Sequence, residues 1–255
     1  MKAIEVKNLY KSFGSKKVLQ GVDLSVNKGE ALVILGGSGS GKSVLIKLII
    51  GLMAADKGEI KYNDRDLLGL SSGGRDEVMK KFGFLFQGGA LFDSLKIWEN
   101  ISFALYSKNL ISKKQAYELA IKKLSQVGLD ENVADLYPAE LSGGMQKRAA
   151  LARAISLDPE VIFFDEPTTG LDPIMASIIN DLIVKTSREL GATTVTITHD
   201  MQSARAIADN VAMLYEGKII WTDKVKSLEK SGNLVVDQFF HGRSDGPIKI
   251  KLQDH

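Results

Sequence analysis

The chain has 255 residues, 44% of them hydrophobic, and a formal net charge of +2. That is enough for one α/β domain with lobes and an ordinary core, and the charge is too near neutral to argue for nucleic acid or an anionic membrane surface as partner. Cysteine is absent, which excludes disulfides and thiolate metal sites and fits the cytosol.

The N-terminus, MKAIEVKNLY, lacks the apolar core of a signal peptide. The first forty residues then alternate as strands do, in IEVKNLY, VDLSV and EALVILG. LVIL is apolar throughout, as expected of a parallel strand buried on both faces. It runs into GGSGSGKS, Gly36 to Ser43, and SVLIKLIIGL follows with helical spacing. The most apolar stretch, VLIKLIIGLM, is broken by Lys47 and too short to span a bilayer, so a soluble protein is expected whose membrane role runs through a partner.

After Gly58, EIKYND predicts a short strand, RDEVMKKF a helix and GFLFQ a buried strand. From Gly88 to about Pro159 strand signals vanish, which predicts a mostly helical insertion over roughly 88–159. Within it, SKKQAYELAIKKLSQVGL sets Ala116, Ala120, Leu124 and Val127 on one face. VIFFDE is another buried strand, and DPIMASIINDLIVKTSREL a helix with proline early, where its missing N–H costs least. TTVTITHD predicts a strand, MQSARAIA a helix and VAMLYEGKII two short strands. The polar end, 229–255, looks like an extension to a core of 1–228. Its Val235, Val236, Phe239, Phe240 and Ile248 carry enough apolar area to favour docking on protein, either on this subunit or on a second one.

Three motifs carry chemistry. GGSGSGKS matches G-x-x-x-x-G-K-[ST] between a strand and a helix, so Gly36, Gly37, Ser38, Gly39, Ser40 and Gly41 turn backbone N–H groups toward phosphate oxygens. Lys42 supplies positive charge to the β- and γ-phosphates of ATP, Ser43 a hydroxyl ligand for Mg²⁺, and Val44 continues the loop into the helix. VIFFDE places Asp165 and Glu166 at the carboxyl end of a buried strand, where Asp165 would hold Mg²⁺ through water and Glu166 would polarise the attacking water. LSGGMQKRAALARA, from Leu141 to Ala154, looks like a second anion cradle at a helix N-terminus.

Gly36–Ser43, the "FLFQ" Gln87, LSGGMQKR, FFDEPTTGLD and ITHD follow the order and approximate spacing of ABC-transporter ATPase subunits, and the chain resembles that family over nearly its whole length. The resemblance implies a P-loop NTPase (RecA-like) core with an N-terminal antiparallel β subdomain and an inserted α-helical subdomain. It implies that Phe13 stacks on adenine, that Gln87 touches Mg²⁺ and the attacking water and senses a membrane partner, that Asp172 links two nucleotide sites, and that His199 contacts the γ-phosphate. It further implies a head-to-tail homodimer in the ATP-bound state. Ser142, Gly143, Gly144 and Gln146 of one subunit would then face the γ-phosphate held by the other, through an uncapped helix end carrying about half a positive charge. His241 and His255 receive no role, and Arg148 and Arg153 read as ordinary solvated or salt-bridged charges.

Within the family, LFQGGALFDSLKIWENISFAL, GGSGSGKSVLIK with Val44 where most members have threonine, and the tail FFHGRSDGPI resemble the Mla-type phospholipid-transport ATPases. Gln146 and Lys147 depart from several of these. This resemblance implies a transmembrane permease, an MCE-type lipid-binding partner, a small STAS-domain regulator, and a peripheral place on the cytosolic face of the inner membrane; the apolar Leu91, Phe92, Leu95, Ile97, Trp98 and Phe103 predict that the permease docks over Ala90 to Leu105. The alternative is an ATPase subunit for a polar-solute importer. A soluble relative acting on ribosomes or DNA is disfavoured by the near-neutral charge and the absence of a basic arm.

Overall fold

The early alternation becomes an antiparallel sheet in the computed structural model, which describes residues 1–249. Strands β1 (Lys2–Phe13) and β2 (Lys16–Asn27) form a hairpin, and β1 also pairs with β4 (Lys57–Tyr62), which pairs with the short β5 (Arg65–Asp66). β1 and β2 are longer than the alternating runs suggest, because register shifts such as that between Val6 and Leu9 let pairing resume after each irregularity.

The second sheet has the order β10-β9-β3-β8-β7-β6. Its parallel part is β3 (Ala31–Leu35), β6 (Phe82–Leu85), β7 (Val161–Asp165), β8 (Thr193–Thr198) and β9 (Asn210–Tyr215), with β10 (Lys218–Lys224) antiparallel at one edge. LVIL and VIFF, apolar throughout, are buried in β3 and β7, as strands covered on both faces must be.

Helix α1 (Lys42–Ile49) follows β3, and α2 (Ser72–Met79) precedes β6. The sequence predicts α2 over RDEVMKKF, but it begins earlier. The Ser71 side chain accepts from Gly74 N–H and caps it there, while Lys81 lies outside and its carbonyl accepts from Glu160 and Val161. Between β6 and β7 come α3 (Ile97–Tyr106), α4 (Lys113–Gln126) and α5 (Gly143–Ala154). Ala116, Ala120, Leu124 and Val127 of the α4 face are fully buried, as the helical spacing predicts. α6 (Pro173–Leu190), α7 (Met201–Ile207) and α8 (Leu234–His241) complete the chain. This is the α/β class expected.

Period-two alternation in β3 divides the core. Leu32 and Ile34 join a cluster with α1 and the antiparallel sheet, while Val33 and Leu35 join one with Trp98, Ile101, Leu124 and Ala150. The helical stretch therefore shares its core with one face of the sheet. The tail docks on its own chain: Val236 is buried, Phe239, Phe240 and Ile248 pack on the second cluster, and the Arg205 guanidinium lies 4.6 Å from the Phe240 ring. Gln238 clamps Ile248, accepting from its N–H at 2.6 Å and donating to its carbonyl at 3.1 Å. His255 lies outside the described residues.

Asn100 of α3, fully buried, pins the loop after β6. Its Oδ1 accepts from Phe92 N–H at 2.7 Å, and its Nδ2 donates to the carbonyls of Phe92, Leu95 and Lys96 at 3.0–3.2 Å. Asn100→Ala would strand these groups, so it should destabilise the chain by about 2–3 kcal/mol. Urea denaturation measures this, and a loss below about 0.5 kcal/mol would show that the loop satisfies itself with water.

Candidate active site

The site grows from the end of β3. A Cβ on Gly36 would sit 2.6 Å from the Leu214 carbonyl oxygen and 2.7 Å from Ser40 Oγ, so only glycine lets the loop turn there. Gly41 has φ of 104° and leads into α1, which begins with no side-chain cap and no acid in its first turn. Its first N–H groups are thus left for an anion. Ser40 Oγ is buried with no hydrogen-bond partner among the described residues, and a phosphate oxygen is the kind of group that would satisfy it.

The Lys42 ammonium lies inside this loop, donating to Gly36 O at 2.6 Å and Gly37 O at 3.2 Å, and 3.7 Å from Glu166 Oε1. Burial pulls its pKa below the usual lysine range, against the opposing charges of Glu166 and Asp165. Asp165, ending β7, is pushed the other way: burial first, then the neighbouring Glu166 charge, raise its pKa, while the Ser43 hydroxyl donates to Oδ1 at 3.5 Å.

Glu166 has φ of 49°, a left-handed conformation uncommon outside glycine, and it is held there by its N–H donating to Ile197 O at 2.9 Å. The turn aims its carboxylate between β7 and β8. Oε2 accepts from Thr198 Oγ1 at 3.1 Å and Thr169 Oγ1 at 3.3 Å, and lies 2.9 Å from His199 Nδ1. One carboxylate thus meets the phosphate-loop lysine on one oxygen and the end of β8 on the other. Behind it, Thr168 and Asn180 share hydrogen bonds with the buried Ser203 Oγ, tying α6 and α7 together.

Lys42, Ser43, Asp165, Glu166 and His199 therefore lie together. The phosphate-loop residues Gly36, Gly37 and Gly41 adjoin them, and the expected residues outside that loop lie elsewhere. Phe13 is part-exposed on the β1–β2 hairpin with the Lys11 ammonium 5.5 Å from its ring. Ser142 and Gly143 begin α5 and Gly144 packs against Met175 of α6, so this chain's signature segment faces the neighbouring helix. The helix end is not uncapped as expected: Ser142 Oγ accepts from Met145 N–H at 3.3 Å. Gln146 turns back, its amide donating to Pro138 O and Leu141 O. Asp172 caps α6, accepting from Ile174 and Met175 N–H at 3.0 Å. Gln87 is reached from α5, where the Lys147 ammonium donates to its carbonyl.

Lys147 and Arg153 escape sequence reasoning as site residues. Arg153 is no solvated charge: it donates to Gly89 O and Ala90 O, each at 2.7 Å. A signal was available, since Ala150, Leu151 and Ala154 stand three, four and seven residues after Lys147 and all are buried.

A family model described as ABC transporter matches residues 19–169. The chain is 40% identical to the intermembrane phospholipid transport system ATP-binding protein MlaF of Haemophilus influenzae, covering 97% of this chain and 94% of that one. It is also 40% identical to mkl of Mycobacterium leprae, a "Probable ribonucleotide transport ATP-binding protein", over 96% of this chain and 71% of that one. Among solved structures, a dimeric ATP-binding cassette in a post-hydrolysis state bound to ADP and Pi aligns with a TM-score of 0.79 at 31% identity, covering 87% of this chain and 98% of that one. No helix among the described residues is long and apolar enough to cross a membrane. With the phosphate loop, the acid pair and the histidine gathered at the strand ends, this chain belongs to the ABC transporter family as an ATP-binding cassette that hydrolyses ATP.

Proposed function

We propose that this cassette drives phospholipid transport between membranes, as a head-to-tail homodimer docked on a transmembrane permease at the cytosolic face of the inner membrane. An MCE-type lipid-binding protein and a STAS-domain regulator complete the assembly. The observation that carries the hydrolytic part is the Glu166 carboxylate, shared between Lys42 and His199. The lipid part rests on likeness to MlaF across almost the whole chain.

In this reading Gly36 to Val44 hold the phosphates of ATP and Phe13 stacks on its adenine. Mg²⁺, when bound near Ser43, Asp165 and Gln87, supplies positive charge to the phosphate oxygens. Lys42 releases its own loop carbonyls and turns its charge to the β- and γ-phosphates. Glu166 orients the water that attacks the γ-phosphorus, the bond to the β,γ-bridging oxygen breaks, and ADP and phosphate leave. His199, seated by Glu166, contacts the γ-phosphate. Ser142, Gly143 and Gly144 present their helix end to the ATP of the second subunit, with Gln146 bracing the loop before them and Asp172 joining the two sites. The γ-phosphate then holds the dimer together and its loss releases it.

Likeness to mkl favours a second reading with a polar, nucleotide-like cargo. Isolating the native complex and analysing its bound molecules separates the two. Phospholipid and an MCE-type subunit are expected, and a solute-binding protein without lipid would overturn the lipid reading.

Glu166→Gln should lower turnover by about 10²–10⁴-fold while ATP still binds, because the lost carboxylate orients and deprotonates water whereas the phosphate loop stays intact. A steady-state rate near wild type would remove Glu166 from the chemistry. Asp165 gives an opposite effect on stability. Its pKa is raised in the folded chain, so folding stability falls as pH rises through the raised value, and the penalty persists at neutral pH. Asp165→Asn should therefore raise the melting temperature of the nucleotide-free protein at pH 7, with the gain vanishing below the ordinary carboxylate range, and should abolish Mg²⁺-dependent hydrolysis. A lower melting temperature at pH 7 would show that the carboxylate stabilises the free protein.

A further inference from the structure

The backbone from Gln87 to Phe92 has little structure of its own. Gly89 N–H donates to Phe86 O at 2.8 Å. Gly89 (φ 74°) and Ala90 (φ 49°) are consecutive left-handed residues, a conformation that persists only when neighbours enforce it. Three of its carbonyls are taken by two cations of one helix: Gln87 O by the Lys147 ammonium, and Gly89 O and Ala90 O by the Arg153 guanidinium. Arg153 also lies 6.0 Å from the ring of Phe92, while Asn100 holds the Phe92 backbone from the other side.

Lys147 is buried on the apolar face of α5. A buried ammonium is costly unless its donors are used, and Gln87 O uses one. Burial works against its charge, while the charges of Asp165 and Glu166 work in favour of it, which sets it in the field of the acid pair. We propose that Lys147 is a positioning residue for ATP hydrolysis, tying Gln87 to the signature helix, with Arg153 as a second tie at Gly89 and Ala90.

The ties have a mechanical consequence. α5 begins at Gly143, beside Ser142, so the segment carrying Gln87 and the helix end offered to the partner's nucleotide move as one body. A push at the exposed Phe92 would reach α5 through Arg153 and the backbone of Gln87 to Ala90. The importance of the tie for turnover rests on the reading of Gln87 as a contact for Mg²⁺ and the attacking water.

The test compares Lys147→Met, Lys147→Arg and Gln87→Ala with the wild-type full chain. Lys147→Met should raise deuterium uptake at residues 87–90 while uptake at 143–154 stays put. It should lower kcat about tenfold, with ATP affinity in EDTA within about twofold of wild type, as expected from loss of one charge-assisted bond. Lys147→Arg should restore most of both. Unchanged uptake at 87–90 and unchanged kcat in Lys147→Met would overturn the proposal. So would parallel losses of ATP affinity and melting temperature, which would mark a structural role alone. Gln87→Ala reports on the underlying reading, since it should raise the Mg²⁺ concentration for half-maximal rate. If it does not, the role given to Gln87 fails, and uptake at 87–90 still decides whether the tie exists.

Discussion

Lys42 and Glu166 face each other at 3.7 Å across the carboxyl ends of β3 and β7, each largely hidden from water. Neither charge is comfortable there, since buried ions need partners to offset lost hydration. Lys42 finds two loop carbonyls, and Glu166 finds two threonine hydroxyls and a histidine. The crossing order of the sheet makes this possible, because β8 lies between β3 and β7 and brings Thr198 and His199 to the same edge. On the proposed reading an incoming polyphosphate competes with two backbone acceptors and the Glu166 carboxylate for Lys42. The protein thus keeps Lys42, Glu166 and His199 close together at the strand ends.

A second constraint is that the helical stretch lacks a core of its own. Trp98, Ile101 and Leu124 join one cluster with Val33 and Leu35 of β3, so apolar packing couples α3, α4 and α5 to the nucleotide-binding strands. Polar contacts add direction to that coupling. Lys147 and Arg153 reach from α5 to the loop after β6, and Lys123 of α4, fully buried, donates to Asp158 just before β7 at 2.6 Å. These cations leave helices to meet the two chain segments that enter and leave the helical stretch. The stretch is therefore tied at both of its junctions with the sheet, one of which carries Gln87.

The sequence made the strands, the phosphate loop and most helices legible because each is encoded locally. Two-residue alternation, an unbroken apolar run before glycines, and 3.6-residue spacing all act within a dozen residues. What stayed hidden depends on contacts distant in sequence. Lys147 and Arg153 look like surface charges when a basic, alanine-rich helix is read alone; Lys147 shares the buried phase of Ala150, Leu151 and Ala154, whereas the partners of Arg153 lie more than sixty residues away in the chain. The capped start of α5 and the backward turn of Gln146 toward Pro138 and Leu141 are set by loop geometry that composition does not reveal. The tail's apolar residues signalled docking, but the surface they meet on this chain, Arg205 and the cluster beneath Phe240, is not legible in the tail's own sequence.

The packing of Gly144 on Met175 gives the second glycine of the signature a reason that lies within this chain. An added Cβ there would meet Met175 Sδ at 2.6 Å and Cγ at 2.9 Å, so any side chain would displace the Met175 thioether in the first turn of α6. That turn is held by Asp172, which accepts from the N–H groups of Ile174 and Met175. The starts of α5 and α6 therefore touch at this glycine through the Met175 side chain. Where a helix interior would ordinarily favour alanine, glycine here leaves room for the Met175 side chain.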